Sequence, residues 1–360
     1  PKRTRSAKKK SSKSNLICAL YVAPMVTLRY SPLLVLSHLT LAVYCFILGL
    51  QHNRTKDMLE TSRIDDFVTD RRPNLANNLL PIVQNTKGFK PLYVYSQAKI
   101  TSPNESENYS KAKRGESKDY SQAKQDLVVL ALSEANDEKV KSTQVSLQLR
   151  NPASTQDKYF VDLASHDPFY LSNTYVLEKN GWRGLCIEGN PRYWYDLASY
   201  RDCSIVGAFV GGVQEEDGKE IEVNLSGGVV GGIAGRGMDN SKGEKKRNLV
   251  SLLTVFKETN VPKIIDYYSL DVEGAETLVM NNFPWDSYKF KFMTIERPKA
   301  DLKKMLNEHG YELVVTLTNW GETLWVNKEL VALTKEEINH ILDEKDLRCW
   351  DCTQPLLWPK

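Results

Sequence analysis

The sequence predicts a doubly wound α/β domain, in which a mostly parallel sheet carries helices on both faces. Between residues 159 and 296, short apolar runs alternate with helix-like segments, the pattern of parallel strands joined by crossover helices. Two further runs, "YELVVTLTN" and "ETLWVN", follow residue 310 and predict an antiparallel hairpin at one edge of the sheet.

The predicted elements follow one another from Tyr159. The strands are "YFVDLA", "RGLCIE", "SIVGAFVG", residues 264–271 and "FKFMTIE". The helices are "SNTYVLEKNG", "NPRYWYDLASY", "LVSLLTVFKETN", a segment from about Ala275, and "DLKKMLNEHG". The second of these helices begins with Asn at the cap and Pro in the first turn, a common start signal. A glycine-rich stretch, residues 227–240, is predicted to be a mobile loop over the functional site.

Other segments flank the α/β domain, which we place at residues 151–330. Residues 51–150 are predicted to be a largely disordered stem, because they are polar, charge-mixed and poor in large apolar residues. Within it, "LVVLALSEA" has the composition of a helix that packs on another element. Residues 331–360 form a C-terminal extension. Residues 1–32 comprise a basic tail and an apolar pre-segment.

Residues 33–50 predict a transmembrane helix. These 18 residues carry no formal charge and would extend about 27 Å as a helix, close to the thickness of a bilayer core. A cleaved signal peptide has a shorter apolar region nearer its start, so we expect an uncleaved signal-anchor. With the basic tail cytosolic, the protein would be a single-pass type II membrane protein of the Golgi or endoplasmic reticulum, its domain in the lumen.

Charge argues against nucleic-acid binding by the body of the chain. The net charge is +3, and residues 1–13 contribute +7, which leaves −4 for the remainder. Glycosylation sequons occur at Asn53, Asn104, Asn108 and Asn224. Cys349 and Cys352 are predicted to form a disulfide or remain free thiols, whereas Cys186 is interpreted as a small apolar core residue.

Acidic residues follow several predicted strands at the point where each strand ends. The first strand ends near Asp162, the second at Glu188, the fourth at Asp271 and Glu273, and the fifth at Glu296. In open α/β sheets, ligands bind beyond the carboxyl ends of the strands. We therefore interpret this rim as a functional site, although an acid at a strand end also serves as a cap for the following helix.

These segments resemble the FkbM-type S-adenosylmethionine-dependent methyltransferases over residues 158–327. The resemblance rests on "YFVDLASHDPFYLSNTYVLEKNGWRGLCIEGNPRYWYDL", "VGAFVG", "GGIAGRGMDN", "IDYYSLDVEGAE" and "FKFMTIE". It implies a Rossmann-like class I methyltransferase fold, S-adenosylmethionine as cofactor and a hydroxyl acceptor. The implied cofactor-binding residues are Asp162, Ala164, Ser165, His166, Asp167 and Glu188, with Glu188 on the ribose. The implied catalytic residues are Asp271, Glu273 and Glu296.

The first loop departs from the family pattern. The family reads D-x-G-A-N-D-G, whereas this chain has "DLASHDP", so that Ala164, His166 and Pro168 replace two glycines and an asparagine. Alanine is a mild replacement if its dihedral angles are ordinary. His166 is read either as a contact to the methionine end of the cofactor or as a solvent-facing loop residue.

The resemblance and the acidic rim together predict a membrane-anchored O-methyltransferase. Its acceptor would be a hydroxyl on a small molecule, a lipid or a glycan. A catalytically inactive interaction or trafficking module is the alternative that the altered loop favours. A dehydrogenase is disfavoured, because the glycine fingerprint is missing after the first strand. No metal ligand is predicted, since no histidine or second carboxylate pair completes a site.

Overall fold

The computed structural model describes residues 119–146, 157–225, 231–235 and 243–348, together with two short strands at 82–84 and 92–95. All of these residues belong to one compact unit, Arg63–Lys360. The predicted tail and the predicted transmembrane helix at 33–50 lie outside the described residues. Within the described parts of the chain, no helix has the length and apolar character needed to cross a membrane.

The described elements alternate along the chain as the sequence predicts. The strands are β1 (Ile82–Gln84), β2 (Leu92–Tyr95), β3 (Tyr159–Leu163), β4 (Arg183–Glu188), β5 (Ser204–Gly207), β6 (Phe209–Val210), β7 (Glu220–Asn224), β8 (Gly232–Ile233), β9 (Lys245–Val250), β10 (Ile264–Leu270), β11 (Lys289–Glu296), β12 (Tyr311–Thr316) and β13 (Glu322–Asn327). The α-helices are α1 (Gln125–Ser146), α2 (Tyr175–Lys179), α3 (Pro191–Tyr200), α4 (Leu252–Glu258), α5 (Glu276–Met280), α6 (Ala300–Glu308) and α7 (Lys335–Glu344).

The main sheet is large and its centre is parallel. Its strand order is β1-β2-β5-β4-β3-β10-β11-β13-β12. Strands β5, β4, β3, β10 and β11 pair in parallel, and β13 and β12 add the predicted antiparallel hairpin. The mixed α/β fold is therefore confirmed. Strands β1 and β2, which lie in the predicted stem, extend the opposite edge.

Both faces of the central strands are buried. Along β10, Tyr268 and Leu270 join one apolar cluster, and Tyr267, directly before Tyr268, joins the cluster on the other face. Alternate side chains of a strand point to opposite faces. This two-sided burial explains why the run reads as continuously apolar rather than alternating.

A smaller sheet covers the carboxyl end of the main sheet. Its order is β6-β9-β7-β8. The run "SIVGAFVG", predicted as one strand, is two strands, because the chain leaves β5 at Ala208 and then pairs with β9. The backbone N–H of Ala208 donates to the carbonyl of Glu188 at this bend. Side chains at this point face a cavity instead of a neighbouring strand.

Helix α1 packs against the domain, although the predicted boundary at residue 151 assigns it to the stem. Val128, Val129 and Leu132 are fully buried in the same cluster as strand and helix residues of the α/β domain. The Asn136 side chain accepts a hydrogen bond from the backbone of Ala332 at 2.7 Å. The compact domain therefore extends further in both directions than residues 151–330, since α7 lies in the predicted C-terminal extension.

Cys186 forms a disulfide with Cys203, which corrects its interpretation as a plain apolar residue. The two Cα atoms lie 6.1 Å apart, and both residues are buried. Cys186 belongs to β4 and Cys203 directly precedes β5. These strands are neighbours in the sheet, whereas the two cysteines stand 17 positions apart in sequence. Sheet pairing brings them together, which no spacing rule in the sequence predicts.

Candidate active site

A cavity of about 200 Å³ opens at the carboxyl ends of the parallel strands. Its walls come from the segments that follow β3, β4, β5, β10 and β11, together with β8 of the small sheet. The strand order reverses between β3 and β10. Ligands of doubly wound sheets bind at such a switch point, so the fold places its candidate site here.

The structure divides the predicted site residues into two groups. The residues that line the cavity are Ala164, His166, Glu188, Asp271, Glu273 and Glu296. The remaining three, Asp162, Ser165 and Asp167, are buried beside it. Their hydrogen bonds go to neighbouring protein groups, so they shape the loop.

Asp162 anchors a polar network under the first loop. Its Oδ2 accepts a hydrogen bond of 2.6 Å from the Thr174 hydroxyl, and Thr174 in turn accepts one of 2.9 Å from Arg201 Nη2. Burial raises the pKa of Asp162, while hydrogen bonds from Thr174 and Ser269 and the charge of Arg201 oppose that rise. Asp162 therefore stabilises the arrangement of β3, β10 and the segment before α2.

Ser165 and Asp167 hold the first loop in its turn. The backbone N–H groups of Ala164 and Ser165 both donate to the carbonyl of Ile187 on β4. The Asp167 Oδ1 accepts hydrogen bonds of 3.0 Å from the backbone N–H groups two and three residues later. This is the local bonding pattern that makes aspartate favourable in turns.

The first loop contains two residues in the left-handed region. Ala164 has a φ of 70° and His166 a φ of 53°. A residue with a Cβ pays about 1–2 kcal/mol for this conformation, so Ala164 is a strained replacement for the family's glycine and not a mild one. His166 lines the cavity and its ring lies 4.1 Å from that of Tyr193, measured between centroids. His166 therefore faces the cavity, which the solvent-facing interpretation did not expect, and its contact to the methionine end of the cofactor stays a prediction.

Glu188 ties the first loop to the start of α3. Its Oε2 accepts a 2.8 Å hydrogen bond from the backbone of His166, and its Oε1 accepts one of 2.6 Å from the backbone of Asn190. Burial raises its pKa to about 7, and these backbone hydrogen bonds lower it. Each carboxylate oxygen can accept more than one hydrogen bond, so Glu188 retains acceptor capacity towards the cavity.

Asp271, Glu273 and Glu296 come together where β10 and β11 end. One carboxylate oxygen from each lies within 4.8 Å of those of the other two. No donor in the described part of the chain makes a hydrogen bond to Asp271 Oδ1 or Glu273 Oε2, and both atoms are buried. The turn that follows β10 brings these acids together. Glu273 and Gly274 have φ values of 52° and 92°, and the Glu276 side chain accepts a hydrogen bond from the Gly274 N–H. The spacing would also suit a divalent cation, a ligand that the sequence analysis did not assign.

Asp271 and Glu273 hold their protons more strongly than isolated acids. Burial, followed by the negative charge of Glu296 and then of Glu273, raises the pKa of Asp271 well above its ordinary value. Burial and the charge of Glu296 raise the pKa of Glu273 to about 7, although Arg297 opposes the rise. Behind them, the buried Glu322 on β13 has its pKa raised to about 8 by burial and by Glu296. With a pKa of about 7, Glu273 exchanges its proton near neutral pH.

Sequence reasoning missed several cavity residues that have polar side chains, among them Arg297, Asn173 and Asn224. Arg297 pairs with Glu296, Asn173 follows the first loop, and Asn224 ends β7. The position of Arg297 directly after a strand-ending acid was a usable signal. Asn224 was interpreted as a glycosylation sequon, and in the folded domain it is only 6% exposed. Asn173 gave no signal beyond its place at a helix start.

Comparison with known families gives one match that includes this site. Residues 162–313 match the family model described as Methyltransferase FkbM domain. This part of the chain is therefore similar to FkbM methyltransferase domains. The match begins at Asp162 in the first loop and ends in β12, so it includes β4, β10, β11 and all the cavity acids named above. The resemblance seen in the sequence is thus confirmed. No curated protein matches the chain.

The FkbM domain supports a methyltransferase. Helix α1 and strand β13 lie outside the matched residues, yet both contribute to its environment. Glu322 of β13 faces the charge of Glu296, and the Gln125 side chain of α1 makes a hydrogen bond to Glu322. The FkbM-like region is therefore completed by flanking elements that the family match does not cover.

Proposed function

We propose that this protein transfers a methyl group from S-adenosylmethionine to a hydroxyl oxygen. The main observation in support is the cavity at the point where the strand order reverses. Glu188 lines it on the β4 side, and the Asp271–Glu273–Glu296 cluster lines it on the β10 and β11 side. A carboxylate that follows the second parallel strand suits two ribose hydroxyls. The acidic cluster suits a ligand that carries positive charge. The residues present therefore fit this cofactor.

When bound, S-adenosylmethionine supplies a methyl group bonded to a positively charged sulfur, which is a good leaving group. The protein then has to orient the acceptor and remove its proton. Asp271 and Glu273 have buried oxygens without a donor from the described residues, so they are placed to accept that proton. The raised pKa of Glu273, about 7, suits a general base that works near neutral pH.

A non-catalytic module is the second candidate. The observation that favours it is the left-handed backbone of Ala164 and His166, where the family has glycine and asparagine. Side chains at these positions narrow the space in which a cofactor would approach the backbone. The intact acidic cluster favours the enzyme.

Cofactor binding to the full chain distinguishes the two candidates. Calorimetry with S-adenosylhomocysteine should give measurable heat for the unmodified protein. Glu188→Ala should weaken this binding by about 1.5–3 kcal/mol, the scale of hydrogen bonds to a charged group. Glu188→Gln keeps the shape of the side chain, and Glu308→Gln on the exposed face of α6 serves as the control that should bind normally. If the unmodified chain does not bind S-adenosylhomocysteine at millimolar concentration, the methyltransferase proposal fails and the non-catalytic module is retained.

We further propose that the domain is lumenal and membrane-anchored, in the Golgi or the endoplasmic reticulum. The basic and apolar segments before residue 50 support an anchor. The Cys186–Cys203 disulfide independently supports an oxidising compartment. A hydroxyl on a glycan or glycolipid is an acceptor that such a compartment supplies. Protease added to sealed microsomes should spare the FkbM domain, and its digestion there would overturn this topology.

A further inference from the structure

Asn173 presents a buried acceptor to the cavity and has no established role. Its side chain lines the cavity, and its Nδ2 donates a 3.0 Å hydrogen bond to the Ser269 hydroxyl on β10. Its Oδ1 is buried, and no donor among the described residues makes a hydrogen bond to it. A buried acceptor left unsatisfied costs free energy comparable to a lost hydrogen bond. The arrangement therefore points to a donor supplied by a ligand.

The orientation of the Asn173 amide follows from a directed chain of hydrogen bonds. Arg201, which can only donate, donates from Nη2 to the Thr174 hydroxyl. Thr174 must then give its own proton to Asp162 Oδ2, 2.6 Å away. Asp162 also accepts from the Ser269 hydroxyl, so the Ser269 oxygen can only accept from Asn173. The amide nitrogen is thereby fixed on Ser269, and Oδ1 faces the cavity.

The charges around Asn173 select the kind of donor. An amide oxygen accepts hydrogen bonds and cannot bind a carboxylate. Asp271, which follows β10, lines the cavity, and Asp162 is buried beside it on the neighbouring strand β3. Acidic side chains near the acceptor favour a positively charged N–H donor, whose charge in turn favours their ionised forms.

The position of Asn173 selects which part of the ligand supplies the donor. Glu188 ends β4, whereas Asn173 is bonded to β10, and β3 lies between these two strands. Two strand spacings correspond to about 10 Å. A nucleoside bound by its ribose at Glu188 would therefore extend its opposite end towards Asn173.

We propose that Asn173 accepts a hydrogen bond from the ammonium group at the amino-acid end of the cofactor. This inference rests on the proposed function, because it names a residue of that same site. It makes Asn173 a binding residue, and it makes Asp162, Ser269, Thr174 and Arg201 the network that positions it.

The test compares two ligands by calorimetry on the full chain. S-Adenosylhomocysteine carries the amino-acid end, and 5′-methylthioadenosine has the same nucleoside thioether without it. Asn173→Ala should weaken S-adenosylhomocysteine binding by about 10-fold or more, while methylthioadenosine binding changes less than about 2-fold. Asn173→Asp keeps an acceptor and should retain binding of S-adenosylhomocysteine. Asn180→Ala, an exposed asparagine just after α2, is the matched control and should bind both ligands normally.

Distinct results overturn distinct claims. Equal weakening of both ligands in Asn173→Ala would show a structural role for the loop and overturn the inference. Unchanged binding of both ligands would overturn it as well, since Asn173 would then contact neither. If the unmodified chain binds neither ligand, the proposed function fails together with the inference. If it binds both, with no difference made by Asn173, only the inference fails.

Discussion

Arg297 Nη2 donates a hydrogen bond of 2.7 Å to Glu296 Oε1, on the residue that precedes it in the chain. The same nitrogen lies 3.8 Å from Glu273 Oε2. One guanidinium therefore sits beside two acids whose neighbours are also acidic. We infer that Arg297 makes this concentration of negative charge tolerable in the folded domain.

Replacing Arg297 tests this balance. Arg297→Gln should lower the free energy of unfolding by about 1–2 kcal/mol at pH 8, less than a fully buried pair would lose, because the guanidinium is partly exposed. The loss should shrink at pH 5, where the cluster carries more protons. Chemical denaturation at both pH values measures it, with Lys304→Gln on the exposed face of α6 as control. An equal loss at both pH values would contradict the electrostatic explanation.

Glu273 should give the pH–rate profile of methyl transfer an acidic limb, with the rate falling at low pH. Its pKa is raised to about 7, chiefly by burial and then by Glu296, while Arg297 lowers it and Glu276 raises it. Since only the ionised carboxylate accepts a proton, the rate should rise with pH and level off above about 7. Glu273→Gln should reduce the rate by about 10²–10⁴ and leave affinity for S-adenosylhomocysteine nearly unchanged. A pH–rate profile that is flat from pH 5 to 9 would remove Glu273 from this role.

The same shift predicts how stability depends on pH. The folded pKa of Glu273 lies above its ordinary value of 4.5, so the folded state binds the proton more tightly than the unfolded state. Stability therefore falls as pH rises from about 4.5 to about 7, by at most about 1.4 kcal/mol per pH unit for this one group. Glu273→Gln should reduce that slope in urea titrations. Burial also raises the pKa of Glu188 to about 7 and the pKa of Glu322 to about 8. Part of the pH dependence of stability should therefore remain in Glu273→Gln.

The strained first loop should be relieved by glycine. Ala164 has a φ of 70°. Ala164→Gly removes the steric conflict of the Cβ atom, which costs about 1–2 kcal/mol. It also makes the unfolded chain more flexible, which destabilises the folded state by about 0.5–1 kcal/mol. The net expectation is a gain of about 0.5–1 kcal/mol in the free energy of unfolding, together with equal or tighter cofactor binding. Ala300→Gly, at the start of α6 and outside the left-handed region, should instead destabilise. Destabilisation by both changes would show that the Ala164 side chain makes a contact worth more than its strain.

The disulfide should stabilise the turn that carries Glu188. Cys186 stands two residues before Glu188, and the bond to Cys203 closes a loop that contains α3. For a loop of this length, the chain-entropy estimate is about 3 kcal/mol. The variant Cys186→Ala/Cys203→Ala should unfold at a lower temperature than the oxidised protein, and a reductant should lower the melting temperature of the unmodified protein only. An equal effect of reductant on the variant would assign the loss to another cause.

Sequence pattern determined the fold because local signals and burial agree along most of the domain. Apolar runs such as β10 and cap signals such as Asn190 are local, and the structure has an Asn190 side chain that accepts from the Arg192 N–H as expected. The acids after each strand also converge as predicted, because parallel strands place their carboxyl ends at one edge. The order of the central elements, the parallel sheet with its edge hairpin and the cavity acids could therefore be predicted without coordinates, whereas the second sheet and strands β1 and β2 could not.

The tertiary structure decided whatever depends on contacts between distant segments. Pairing of β4 with β5 makes the Cys186–Cys203 disulfide, and packing against the sheet moves α1 from a predicted stem into the domain. The left-handed backbone at Ala164 arises because the loop is bonded to Ile187 on the next strand. The Asn173 amide is oriented by partners up to 96 positions away. Side-chain direction and backbone strain are set by such long-range bonds, and residue type alone does not encode them.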